Sequence, residues 1–181
     1  DCALHRLANG GLVLELEPST SAPAGAQLHD LRPEVMAVIL SDAMQRFGAA
    51  PTIGVLADSV VEVIRNLTGY DRVVVYKFDP DGHGKVISEA RHPRLESLLG
   101  HRYPASDIPH RARALYLLNR LRMLVDVDAT QSPLLPAQPP LTVAPLDMSM
   151  CQLGSVWPIH LQYLRNMGGA ATLGASRGRE G

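Results

Sequence analysis

Arg72-Val-Val-Val-Tyr-Lys-Phe78, Asp79-Pro-Asp-Gly82 and Lys85-Val-Ile-Ser-Glu-Ala90 follow one another in the middle of the chain. The first run is β-branched and aromatic, the second is a Pro/Asp/Gly turn signal, and the third returns to strand-like residues. Two strands joined by such a turn predict an antiparallel hairpin. Upstream, Pro33 sits where a first helical turn tolerates proline, and Glu34 favours the positive end of the helix dipole. Val35, Ile39, Leu40, Met44 and Phe47 then recur at helical spacing up to Gly48. A second helix is predicted from about Ile53 to Leu67, ending at Gly69. Further upstream, Gly11-Leu-Val-Leu-Glu-Leu-Glu17 follows the Asn9-Gly10 turn signal and reads as a strand with no partner beside it. A lone strand is not stable, so it either pairs with later residues or belongs to a domain that the chain enters part-way. Pro18-Ser-Thr-Ser-Ala-Pro-Ala-Gly25 reads as a linker.

Downstream of the hairpin, Tyr103-Pro-Ala-Ser-Asp-Ile-Pro109 holds one carboxylate between two prolines. Each ring fixes its own φ and biases the preceding residue towards extended geometry. Asp107 therefore sits on a stiff turn before a helix predicted over about Ile108–Leu121. Met123-Leu-Val-Asp-Val127 reads as another strand. The following residues, to Val156, carry Pro133, Pro136, Pro139, Pro140 and Pro145 without periodicity; a loop this long is usually functional or disordered. Pro158 to Met167 is the last predicted helix, Gly168-Gly169 ends it, and Ala170-Ala-Thr-Leu173 begins a strand. The order of elements is that of an α+β fold with an antiparallel sheet and helices packed on it. The last strand is cut short, so the sheet is expected to be incomplete at the C-terminus.

The chain has 181 residues, 46% hydrophobic and 19% charged, with a formal net charge of -1. That suits one medium globular domain, or one domain and a piece of another. A near-zero charge without a basic run argues against nucleic-acid or anionic-membrane binding. No apolar run approaches the roughly 18–20 residues that span a bilayer, and the start lacks a signal-peptide pattern. Two cysteines far apart, Cys2 and Cys151, give neither a disulfide framework nor a metal motif. A cytoplasmic location is the expectation.

Asp107 can serve as a helix N-cap or as a pocket group, and the two are compatible. With its side chain engaged, its backbone carbonyl becomes the ligand-facing group. His160 is either a ligand contact or a half-buried helix histidine. Arg113, Arg120 and Arg122 lie on or just past the helix after Asp107; each is a carboxylate clamp or a solvated charge. Tyr76, Tyr103, Tyr116 and Tyr163 offer apolar walls with polar tips, or core packing. Asp79-Pro-Asp-Gly-His-Gly84 reads as a turn, not a metal site. No phosphate loop, nucleophile elbow or nucleophile–base–oxyanion set is present, so no enzyme is expected within these residues.

Gly69-Tyr-Asp-Arg-Val-Val-Val-Tyr-Lys-Phe-Asp79, Leu99-Gly-His-Arg-Tyr-Pro-Ala-Ser-Asp-Ile-Pro109, Ala112-Arg-Ala-Leu-Tyr116 and Pro158-Ile-His-Leu-Gln-Tyr-Leu-Arg-Asn-Met-Gly168 resemble the GAF domain of phytochromes, in particular bacteriophytochromes. The opening, up to Pro18, is similar to the end of the PAS domain that precedes GAF in that family. The resemblance implies a PAS remnant at 1–18, a linker at 19–32, a truncated GAF domain at 33–173 and a tail at 174–181. It implies a linear-tetrapyrrole pocket, with biliverdin the bacterial pigment, and red/far-red light sensing. By that resemblance the Asp107 carbonyl accepts from pyrrole nitrogens, Ile108 and Pro109 complete the contact motif, and His160 packs over the pigment. Arg122 matches a propionate-pairing arginine, Thr172 a hydroxyl facing the other propionate, and Tyr76, Tyr103 and Tyr163 the walls around the rotating ring; Tyr116 joins the binding set. The Pro-rich stretch matches the loop threaded by the family's N-terminal segment. Bacteriophytochromes attach pigment through a cysteine upstream of the PAS domain, and Ile159 stands where plant and cyanobacterial types have theirs. Binding within these residues is therefore expected to be non-covalent. Gly154 stands where a second propionate-binding arginine is usual. The resemblance implies a separate output module, commonly a histidine kinase, and the amphipathic helices from Pro33 to Phe47 and from Ile53 to Leu67 suit pairing with a second copy as a homodimer. The alternative is a pigment-free GAF module that works through association.

Overall fold

The computed structural model describes residues 2–7, 10–16, 32–108, 110–130, 133, 135, 146–151, 154 and 156–176. Pro109, most of the expected linker, most of the Pro-rich stretch and residues 177–181 lie outside them. The chain forms two compact units: Thr20–Ala105, and Asp1–Ser19 together with Ser106–Gly181. Helices and antiparallel sheets make up both, as expected of an α+β fold.

In the continuous unit, α1 (Pro33–Gly48) opens on its proline, with Glu34 in the first turn and Arg46 in the last. α2 (Ile53–Thr68) begins at Thr52, whose hydroxyl accepts from the Val55 N–H at 3.2 Å and so satisfies one orphan donor. It stops at Gly69, whose φ of +70° is the left-handed cap that a side chain would strain. Ala57, Val61 and Val63 of α2 are buried, as are Ala43 of α1 and Val86 of the sheet. The expected hairpin forms from β3 (Arg72–Phe78) and β4 (Gly84–Arg91), antiparallel, with a bulge between Val75 and Tyr76. Its turn is closed by Asp79 N–H to His83 O at 2.8 Å and Gly82 N–H to Asp79 O at 2.9 Å. Gly84, Val86 and Ser88 alternate as the buried positions of β4, and the Ser88 hydroxyl donates to Asp58 of α2 at 2.5 Å.

A short third strand, β5 (Arg102–Tyr103), pairs antiparallel with Gly84 and Lys85; the sequence did not reveal it. The Glu89 side chain, only 2% exposed, sets the path to it. Glu89 accepts from Ser97 Oγ at 2.6 Å and from the Leu98 N–H at 3.0 Å, with Arg72 Nε at 3.5 Å.

In the discontinuous unit, β1 (Cys2–Arg6) pairs antiparallel with β2 (Leu12–Leu16). This corrects the expectation for the first strand: its partner lies just before it. α3 covers His110–Leu118 and β6 covers Leu121–Leu124. The helix therefore ends earlier than expected and the strand starts earlier. Leu121-Arg-Met-Leu124 alternates exposed and half-buried, a strand period, and pairs antiparallel with β7 (Thr172–Ala175). Arg122 is consequently a strand residue. β7 runs past the expected start of the tail, and Ser176 is bonded beyond it. α4 (Pro158–Asn166) lies close to its predicted bounds and closes with Gly168 N–H to Arg165 O at 2.9 Å and Gly169 N–H to Leu164 O at 2.8 Å. Leu164, Val127 and Cys151 are buried.

Candidate functional site

α4 begins on Pro158, which supplies a preset φ, and no side chain caps its N-terminus. Leu164 is its buried anchor. His160 and Tyr163, three residues apart, lie on one side of the helix a turn from each other. The Tyr163 hydroxyl donates to Asp107 Oδ2 at 2.8 Å. Ser106 Oγ donates to Asp107 Oδ1 at 3.3 Å. The carboxylate at the stiff turn is thus engaged by hydroxyls on both oxygens, and Asp107 and Ile108 are half-buried. Two of the motifs picked out in the sequence meet here, 56 positions apart.

His160 is half-buried, and burial holds its imidazole below the ordinary value of 6.5. The neutral ring is the stable form at neutral pH; one nitrogen carries a proton and the other accepts. Hydroxyls engage the carboxylate, and the neutral imidazole on α4 offers hydrogen bonding without a positive charge.

The β6–β7 pair carries the next group. Arg122 and Thr172 are half-buried on alternate positions, while Leu121, Met123 and Leu173 are exposed. Arg122 stands opposite Gly174, and Thr172 opposite Leu124. A Cβ on Gly174 would lie 3.7 Å from Arg122 O and 4.0 Å from Tyr116 Cε1, so the Tyr116 ring borders this strand pair. Ser176 ties α3 to the end of β7: its hydroxyl donates to Tyr116 O, and its N–H donates to Arg120 O at 2.9 Å. Ser176 lies in the stretch read as a tail, and nothing in its sequence neighbourhood signals the bond. Of the other arginines, Arg113 is half-buried and Arg120 exposed.

Tyr76 and Tyr103 belong to the continuous unit. The Tyr76 ring packs edge-on against Phe78, with centroids 5.1 Å apart and planes at 76°, and lies 5.9 Å from Tyr103. It covers Gly84 so closely that a Cβ there would overlap Tyr76 Oη, Cζ and Cε1. Gly84 is a residue that sequence reasoning missed; its value lies in having no side chain beneath an aromatic ring.

Cys2 is exposed and Cys151 buried. Burial, with smaller contributions from Glu15 and Asp147, pushes the Cys151 thiol above its ordinary pKa, which disfavours the nucleophilic thiolate. Asn119 Nδ2 holds the Cys151 carbonyl at 3.2 Å. Among the described residues no group of His, Cys, Asp or Glu is disposed to hold a metal ion, and no helix is long and apolar enough to cross a membrane.

No protein-family profile matches the chain. A bacteriophytochrome of Xanthomonas campestris pv. campestris is 51% identical over 126 residues, covering 70% of this chain and 20% of that protein. Phytochrome B of Glycine max is 42% identical over 171 residues, 94% of this chain and 14% of the relative. The crystal structure of the chromophore-binding domain of an unusual bacteriophytochrome from R. palustris superposes with a TM-score of 0.83 at 34% identity. That match covers 99% of this chain and 56% of the solved one. The chain therefore spans about a fifth or less of these two relatives and just over half of that domain.

Proposed function

Because the chain belongs to the phytochrome family and has the fold of its chromophore-binding domain, we propose that it is a bilin-binding photosensory segment. The residue roles proposed are those of the discontinuous unit. The carrying observation is the Tyr163–Asp107 hydrogen bond at 2.8 Å, which links the turn with Asp107 to the helix with His160.

The donor set fits a linear tetrapyrrole, a molecule of pyrrole N–H groups, two propionates and flat apolar rings. When bound, such a pigment supplies red-light absorption and isomerisation of a methine bridge. The protein's part is to bind and orient. With both carboxylate oxygens of Asp107 engaged, its main-chain carbonyl is the acceptor we assign to pyrrole nitrogens, with Ile108 and Pro109 completing the contact motif. The neutral His160 ring is an apolar face with one acceptor nitrogen. Arg122 is the propionate partner and Thr172 a hydroxyl for the second propionate, while Tyr116 and Tyr163 are the aromatic contacts of this unit. For Tyr76 and Tyr103, whose role as ring walls is implied by the resemblance, Tyr76→Ala and Tyr103→Ala should each broaden the pigment band.

We read residues 1–18 as the end of a PAS domain and residue 33 onward as GAF. The pigment proposed is biliverdin, held non-covalently within these residues, in a cytoplasmic receptor whose longer form signals through a histidine kinase output module. A second reading is association through the helices, as a homodimer. Val38 and Met44 of α1 support it, being 69% and 68% exposed.

The test is absorption spectroscopy. Biliverdin added to the chain should give a sharpened, red-shifted band, lost in Asp107→Ala and His160→Ala and broadened in Tyr163→Phe, with far-UV circular dichroism unchanged. A free-pigment spectrum with the wild-type chain refutes the proposal. Light scattering that finds a dimer indifferent to biliverdin favours the second reading.

A further inference from the structure

We propose that Arg165 is a positioning residue: its guanidinium clasps α4 to the chain beyond β6 and so fixes how His160 and Tyr163 are presented. Two contacts make the clasp. Arg165 Nε donates to Asp128 Oδ1 at 2.9 Å, and a terminal guanidinium nitrogen donates to the Val127 carbonyl at 2.9 Å. Both acceptors lie just after β6, and Val127 is itself buried. The Val127 N–H donates to Ala170 O at 2.8 Å. Ala170 lies between α4 and β7, so one short stretch of chain is held both by the helix and by the connection from the helix to β7.

The geometry of α4 explains why it uses such a clasp. It has nine residues and no side-chain N-cap, and an isolated helix that short is unstable in water. Its place is set by what it touches. At about 100° per residue, Arg165 projects roughly 200° around the axis from Tyr163. Tyr163 is fixed to Asp107 on one side, and Arg165 is fixed to Asp128 and Val127 on nearly the opposite side. A short helix held from two sides is restrained in rotation as well as translation. Rotating it by one residue's angle would carry Tyr163 off Asp107, and His160 with it.

The clasp is not a strong source of stability. The side chains of Arg165 and Asp128 are 42% and 75% exposed, and exposed ion pairs contribute little net energy. Its contribution is the rigid fork of the guanidinium, which ties one carboxylate oxygen and one carbonyl to a single side chain, a geometry that lysine does not reproduce.

This inference rests on the assignment of His160 and Tyr163 to the site, but its test does not need pigment. The His160 imidazole is titrated by NMR in the pigment-free chain. Loosening α4 exposes the ring, so Arg165→Ala should move the His160 midpoint up towards 6.5, with Arg165→Lys moving it less. Gln162→Ala, which removes only the exposed Gln162–Asn166 contact on the same helix, should leave it unmoved. Should Arg165→Ala not fold, Asp128→Asn carries the test, since it removes the charge on one acceptor and leaves the guanidinium in place. A His160 midpoint unchanged in whichever of the two variants folds, or shifted equally by Gln162→Ala, overturns the proposal. Failure of biliverdin to bind the wild-type chain would instead strike at the pigment assignment, with the titration result standing apart.

Discussion

Replacing Gly84 by alanine probes the packing of Tyr76 directly. The added Cβ would occupy the space of the ring edge and the hydroxyl of Tyr76. Gly84 is buried and pairs with both Phe78 and Tyr103, so the backbone cannot retreat without breaking the sheet. The ring must therefore leave. Doing so ends its edge-on contact with Phe78 at 5.1 Å, a pair worth about 0.5–1.5 kcal/mol. Overpacking of this kind costs about 1–3 kcal/mol in all, and that is the loss expected in urea denaturation. The overlap involves Cζ and Cε1 as well as the hydroxyl, so Tyr76→Phe should not rescue Gly84→Ala. Tyr76→Ala should: in its background, Gly84→Ala should cost almost nothing. Equal costs of Gly84→Ala in the wild-type and Tyr76→Ala backgrounds would refute the reasoning, because the ring would then not be the obstacle.

Two further outcomes concern protonation and capping. Burial keeps the folded-state pKa of His160 below 6.5, so the unfolded chain takes up that proton first as pH falls. Its contribution to stability is complete above pH 6.5, declines as pH drops towards the depressed folded value, and is constant below it. His160→Gln should flatten that part of the stability–pH curve, measured by urea denaturation, and identical slopes for the two proteins would contradict the burial argument. Thr52→Ala removes the acceptor for the Val55 N–H and should destabilise α2 by about 1 kcal/mol, with Thr52→Ser close to wild type. A thermal midpoint equal in Thr52→Ala and wild type would mean that the cap contributes nothing.

The central hairpin and both long helices were legible because local signals agree there: alternation, a turn cluster, Pro33 at a helix start and Gly69 at a helix end. β1 was not, and the reason is physical. Cys2-Ala-Leu-His-Arg6 has a period of two, but its inward side carries His5, hydrogen-bonded to the buried Glu15 of β2, while Leu4, Leu12, Leu14 and Leu16 point outwards. An inverted pattern hides a strand from any apolar-inside rule. β5 is two residues long, too short to show a period, and the segment before it is held by Glu89 at residues 97 and 98 and by Val86 at residues 100 and 101. The end of α3 was misjudged because Leu121 continues a helical spacing, and only pairing with β7 selects the strand. At the candidate site, the residue types at Asp107, His160 and Tyr163 were legible from their motifs. The bond between Asp107 and Tyr163 was not, since nothing local reports a contact made 56 positions away.

Under the proposed assignment, that bond also bears on which atom of Asp107 a ligand would meet. The Asp107 carboxylate and the His160 imidazole are both half-buried, and different features hold each of them. The carboxylate is bonded by the Tyr163 and Ser106 hydroxyls, and burial favours the neutral form of His160. The arrangement leaves hydrogen-bond acceptors on the Asp107 turn and α4, while the half-buried Arg122 on β6 supplies a cation. A ligand suited to it carries N–H donors along one part and a carboxylate along another. The phenol at Tyr163 is therefore as informative about the ligand's chemistry as the aspartate that first marked the turn.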